Sequence, residues 1–228
     1  MDRFYWYTIG LRTEFNFFVD SIKESTFNQS DEQGFKVEAI SRDMVVGKFV
    51  QSKLVTQEFI NPFGDNTVER RQVYDVIDFK FSRRANILLE TKNPGRCTKT
   101  FFNELLKCSD YSLVVEAPKF KLPELIKELK AHGLIIIQVK EIELADIALS
   151  KDATGLLVVK GNLSIDDYEL KLPLADLKHR LKKFKAIVDF HGTREMIEVH
   201  SSNKIIMSDK LAKLITPIIY KTLRHIDS

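Results

Sequence analysis

The sequence predicts an α+β fold, a mostly antiparallel twisted sheet with about four helices, and three observations predict it. Two long stretches with strand-type alternation, residues 44–60 and 67–82, flank the turn-dense segment NPFGDN. After RRAN turns the chain, ILLETK (87–92) brings it back, which makes a three-strand meander. Helical spacing then interrupts short apolar strands: Phe101, Phe102, Leu105 and Leu106 share one face within 96–108, and KLPELIKELKAHG (121–133) has the marks of a complete helix.

Taken in order, the chain opens with a strand over Phe4–Arg12. An aromatic-rich segment at Glu14–Lys23 and the polar loop ESTFNQSDEQG follow. The meander and the 96–108 helix come next, then a short strand in YSLVVEAP. In the 121–133 helix Pro123 suits the first turn. Glu124 sits near the positive end, Lys130 and His132 near the negative end, and Gly133 suits the C′ position. LIIIQVKEIEL is a further strand. TGLLVVKG and DYELKLP read as a hairpin turning at Gly161-Asn162, and LADLKHRLKKFK (174–185) reads as a helix. KAIVDFH and EMIEVHSS form a second hairpin around Gly192-Thr193, with a type II′ turn, Val188 facing Ile197 and Ala186 facing Val199. A last helix, SDKLAKLITPIIYKTLRH, has Ser208 as N-cap, and Pro217 is expected to kink or break it. The change of pattern near Lys151 suggests units at 1–150 and 151–228, as two subdomains on one sheet or as two separate domains.

Composition bounds the function. The 228 residues are 44% hydrophobic, with sixteen Phe against one Trp and six Tyr, so the Phe excess reads as core and not as a base-stacking series. A formal charge of +3 is too small to be a nucleic-acid footprint by itself. Any footprint must come from local clusters. Cys97 and Cys108 are too few for a disulfide framework and, on one helix, lie roughly 16 Å apart. Reduced thiols fit a cytoplasmic location. No apolar run approaches a membrane span. The five histidines, His132, His179, His191, His200 and His225, show no metal-ligand spacing. No Walker A, GxSxG or GxGxxG motif is present, which disfavours nucleotide chemistry.

One stretch carries specific chemistry. Asp78 lies in YDVIDFKFS and Glu90-x-Lys92 in the return strand. A hairpin centred on Arg84 sets Asp78 opposite Glu90. Two carboxylates could then hold Mg²⁺ or Mn²⁺ while the lysine positions a nucleophile. Over residues 44–117 the order of strands, helix and strand is similar to the PD-(D/E)xK nuclease core. That resemblance implies Asp78 and Glu90 as metal ligands and Lys92 as the catalytic lysine. A hairpin centred on Ala85 instead pairs Asp78 with Lys92 and Lys80 with Glu90, as ion pairs on a solvated face. Both registers keep Phe79, Phe81, Ile87 and Leu89 on the other side.

Two basic clusters complete the reading. Arg83, Arg84, Lys92, Arg96 and Lys99 are expected to converge, extended by Arg70 and Arg71. Lys178, His179, Arg180, Lys182, Lys183 and Lys185 are expected to form the outward face of the 174–185 helix, which Leu177, Leu181 and Phe184 dock. The expectation is a non-enzymatic binding or assembly subunit without a cofactor that contacts nucleic acid within a larger complex. A metal-dependent nuclease and a protein-only adaptor or inhibitor are the alternatives. A protein partner or a second copy could meet strand 4–12, the long strands, or the apolar face of the last helix at Ile215, Ile218 and Ile219.

Overall fold

The computed structural model describes residues 1–60, 62–64, 66–84, 86–163 and 178–224. The chain divides into two compact units, Thr8–Glu116 and Met1–Tyr7 with Ala117–Ser228. The expected boundary near residue 150 falls inside the second unit, between two strands that pair with each other.

The Thr8–Glu116 unit contains the end of β1 (Asp2–Gly10), α1 (Phe15–Glu24), β2 (Gln33–Ser41), β3 (Met44–Ile60), β4 (Asn66–Arg83), β5 (Ile87–Lys92), α2 (Thr98–Cys108) and β6 (Val114–Glu116). Strands β2, β3, β4 and β5 pair antiparallel in that order, and Thr8–Gly10 of β1 pairs antiparallel with β6. The pairing of β3 with β4 runs without a bulge from Met44↔Ser82 to Ile60↔Asn66. Alternation decides which face is buried. Val45, Phe49, Ile77, Phe79 and Phe81 are buried, whereas Lys48, Asp78 and Lys80 point the other way.

Phenylalanine rings fill this core. Phe101 of α2 lies 5.5 Å from Phe49, 5.8 Å from Phe79 and 6.3 Å from Phe35 between centroids, and Phe18 of α1 meets Phe81 edge-on at 5.3 Å. The packing explains Gly47, where a Cβ would lie 2.7 Å from the Lys36 carbonyl and 3.0 Å from the Phe79 ring. Cys97 and Cys108 bracket α2, both free and buried, and burial pushes both thiols up.

The second unit joins residues Asp2–Tyr5 of β1 to α3 (Leu122–Ala131), β7 (Leu134–Ala148), β8 (Thr154–Leu163), β9 (Arg180–Phe190), β10 (Thr193–His200), β11 (Lys204–Met207) and α4 (Asp209–Arg224). The order is β1-β11-β10-β9-β7-β8, every printed pairing antiparallel. Leu122, Leu125 and Leu129 of α3 and Leu211, Ile215 and Ile219 of α4 are buried. Trp6 is fully buried, and Asn203 donates to its carbonyl at 2.7 Å. Gly133 follows α3 at φ +98°, as a C′ residue does.

Four expectations change here. The basic segment from Arg180 is a strand and not a helix. Its helical spacing (Leu181, Phe184) gives way to Phe184, Ala186, Val188 and Phe190, all buried, and β7 and β10 flank it on both sides. An irregularity between Glu143 and Leu144 of the partner strand accommodates the three-residue step from Leu181 to Phe184. Gly161 and Asn162 lie within β8 instead of at a turn. DYELKLP, Leu177 and the rest of LADL lie outside the described residues, as does His225. The β9–β10 turn is His191-Gly192, both at positive φ (50° and 77°), so it is of type I′ and not II′. Ala186 therefore faces Ile197 and Val188 faces Glu195, two positions from the expected register, and parity keeps the same side apolar. Finally, α4 runs through Pro217. Pro217 and Lys213 are both exposed, so water can take the carbonyl that the proline cannot.

Among the described residues there are four helices, and none is long and apolar enough to cross a membrane.

Candidate assembly site

Around Asp78 and Glu90-x-Lys92 the register is Asp78↔Lys92 and Lys80↔Glu90. The hairpin is thus centred on residue 85, and Asp78 does not stand opposite Glu90. On the other side Asp78 faces Lys48, whose Nζ donates to it at 2.7 Å and lies 3.5 Å from Glu38. The hydrogen bond to Asp78 leads the effects that hold the Lys48 ammonium above its ordinary value. Glu38, Lys48, Asp78 and Lys92 therefore alternate in charge across β2, β3, β4 and β5. That pattern follows from cross-strand pairing on a half-exposed sheet face. Among the described residues no group of three or more His, Cys, Asp or Glu side chains is arranged to hold a metal ion.

The first basic cluster does not converge. Arg83 stands opposite Ile87 at one end of β5, and Lys92 is at the other. Six residues of strand separate the two ends by roughly 17 Å. Arg84, Arg96 and Lys99 are exposed at these separated ends, while Arg83 is held by Asp43 at 3.2 Å and lies over the Phe15 ring. Arg70 and Arg71 lie farther along β4, roughly 40 Å from Arg83.

The second cluster converges but is internally paired. Arg180 meets Asp146 at 2.8 Å, Lys182 meets Glu143 at 2.6 Å, Lys183 lies between Glu141 (3.2 Å) and Glu198 (3.5 Å), and Lys185 reaches Glu198 at 3.4 Å. The strand form is the reason, because it sets these cations beside acidic residues of β7 and β10. Lys178 is the exposed exception, in the coil before β9.

Within this network Lys183, Glu141, Glu198 and His200 keep only 13–17% side-chain exposure. Burial opposes charge on Lys183, but hydrogen bonding to Glu141 and the charges of Glu198 and Glu141 outweigh it and raise its pKa. Burial likewise opposes charge on Glu198, yet the His200 hydrogen bond and the Lys183 charge leave its carboxyl below the usual range. For His200 burial dominates and lowers the pKa, only partly offset by Glu198, with Lys204 and Lys183 acting in the same direction as burial. Neutral His200 donates from Nε2 to Glu198 at 2.7 Å.

The folded pKa of His200 is below the unfolded value, so the unfolded chain binds the proton first as pH falls. Stability is therefore lost below about pH 6.5, and Glu198 adds a further loss as its own lowered pKa is approached. Urea midpoints at pH 7.5 and 5.5 are expected to differ more for the wild type than for His200→Gln; equal differences would refute this role for His200.

Of the long strands expected to meet a partner, the far half of the β3–β4 ribbon is the part left open among the described residues. β2 covers β3 only as far as Gln51, and β5 covers β4 only from Asp78. Residues Leu54–Ile60 and Asn66–Gln72 are all exposed and among the described strands pair only with each other. This arm extends roughly 20 Å. Its root is anchored by Lys53 paired with Asp75 and by Phe27 packed edge-on to Tyr74 at 6.2 Å. Leu54 (68% exposed), Ile60 (75%), Val68 (51%) and Phe63 at the tip (92%) present apolar area to solvent. The other expected partner surfaces are not available in the same way. Ile215, Ile218 and Ile219 are buried, and β1 pairs with β11 and β6.

The signal was present in LVTQEFI, whose apolar residues fall on both faces of the strand, a pattern with no single solvated side. A scan against protein-family models and a search of curated proteins returned no match.

Proposed function

We propose that the chain is a non-enzymatic binding and assembly subunit, and that the β3–β4 arm is its contact element for another polypeptide. The observation that carries this reading is the arm itself: two strands with apolar side chains on both faces and no covering element among the described residues. Exposed apolar area concentrated on one projection marks an interaction site, and an isolated two-stranded ribbon is marginal in water without a partner.

Charge argues for protein over nucleic acid at this place. From residue 54 to 72 Arg70 and Arg71 are outnumbered by Glu58, Asp65 and Glu69. Phosphate binding calls for a local excess of cations. The basic strand β9 is matched by carboxylates, which removes the second support for a nucleic-acid surface.

A photo-reactive phenylalanine analogue at position 63 of the full chain tests the proposal, with position 17 on α1, also exposed, as control. Irradiation in cells is expected to yield protease-sensitive adducts at 63 and none at 17. Adducts removed by nuclease would turn the reading to nucleic acid, and none at 63 would end it.

A further inference from the structure

We infer that the outer edge of β3 pairs antiparallel with the same edge of a second copy of the chain, about a two-fold axis through Gln57. This rests on the reading of the arm as the contact element and names its partner.

Three observations carry it. The first is an open edge. On the side away from β4, no described strand pairs with β3 beyond Gln51, and beyond the bond from the Ser52 amide to the Glu32 carbonyl the edge is uncovered along Leu54–Ile60 among the described residues. Such a row of backbone donors and acceptors is a template for another strand. Proteins that leave one bare usually blunt it with lysine, proline or a bulge. Here β3 has none of these between Leu54 and Ile60.

The second observation is the order of side chains. A two-fold axis perpendicular to the ribbon keeps each residue on its own face, so only residues of equal parity can stand opposite each other. With the axis at Gln57, Leu54 meets Ile60 of the second copy, Val55 meets Phe59 and Thr56 meets Glu58. LVTQEFI is thus a chemical palindrome in which each apolar residue finds an apolar residue. The four apolar members are 68%, 37%, 43% and 75% exposed in the single chain (Leu54, Val55, Phe59, Ile60). The only charge, Glu58, faces a threonine.

The third is the contrast with the outer edge of β4. The same operation centred on the arm there sets Glu69, Arg70 or Arg71 against its own copy, and like charges directly opposite are destabilising. Pairing through β3 also converts two marginal two-stranded ribbons into one four-stranded sheet, past the three strands with an apolar face that independent stability needs.

The test uses the full chain. Light scattering at micromolar concentration is expected to give twice the 26.4 kDa chain mass. The pair Leu54→Lys with Ile60→Lys is expected to be monomeric, as is Leu54→Glu with Ile60→Glu. Both positions are exposed, so both variants fold. Mixed, they are expected to regain the doubled mass, since each lysine then faces a glutamate. With copper–phenanthroline as oxidant Gln57→Cys is expected to cross-link across the axis, and Arg71→Cys on the other strand is not. A monomeric wild type, or charge variants that remain dimeric alone, overturns the inference. Adducts from position 63 to a different polypeptide, with a monomeric chain, would keep the assembly reading and remove only the second copy as its partner.

Discussion

Replacing Phe101 by alanine is expected to cost the Thr8–Glu116 unit about 4 kcal/mol, the middle of the range for a large buried aromatic. Phe101 is fully buried and touches more rings than any single strand supplies, with Phe35, Phe49, Phe79 and Phe102 all within 6.3 Å. These rings come from β2, β3, β4 and α2, so their packing joins the helix to the sheet. Removing the central ring leaves a cavity that its neighbours can close only by leaving their own contacts. The measurement is denaturant unfolding of the full chain, followed by a probe in this unit. A loss below about 1 kcal/mol would mean that the cluster repacks freely. The arm is anchored nearer its own root by Lys53–Asp75 and Phe27–Tyr74. Its exposed residues should therefore have smaller effects on stability than on association.

Replacing Lys183 by alanine is expected to cost about 2–3 kcal/mol, below the figure for breaking a fully buried pair because some solvent access remains. Lys183 sits between the Glu141 and Glu198 carboxylates, and all three are largely out of water. Its removal leaves two carboxylates facing each other, with Lys160 and Lys185 too exposed to compensate fully. The combined variant Lys183→Met, Glu141→Gln, Glu198→Gln should recover much of the loss, because replacing a whole buried ionic group is far cheaper than removing one member. Urea unfolding of the single and combined variants decides this. A single variant as stable as the wild type would show that the network contributes little.

Much of the architecture was legible in the residues. The limits of β3 match the alternating stretch 44–60, and α2 and α3 lie within the predicted helices. These follow from local periodicity, which the chain carries wherever it folds. The errors cluster where a local pattern had two readings. Leu181 and Phe184 have helical spacing, yet β9 is flanked by β7 and β10, and those neighbours supply hydrogen bonds to a strand. Gly161-Asn162 has turn chemistry, yet it continues β8, with Asn162 accepting from Lys140 at 2.6 Å. Pro217 has breaker chemistry, yet it lies on the solvent side of a helix whose other face is held by Ile215 and Ile219. The candidate site was less legible for the same reason. Whether a cation is available depends on which carboxylate lies across from it, and the pairing of Lys182 and Lys183 with β7 has no local signature.

The return strand ILLETK (87–92) shows the division most plainly. By itself the sequence determined that Leu89 and Glu90 point to opposite faces, because alternation in a strand depends on nothing beyond the strand, and that Asp78 shares a face with Glu90 and Lys92, because Phe79, Phe81 and Leu89 must share the buried one. Only the tertiary structure decided that Asp78 faces Lys92 and not Glu90. Both registers bury the same apolar residues, so the choice lies in how β4 is held between β3 and β5. The same holds for the arm. The residues of LVTQEFI dictate a strand with two apolar faces, and only the three-dimensional arrangement leaves its outer edge uncovered among the described residues.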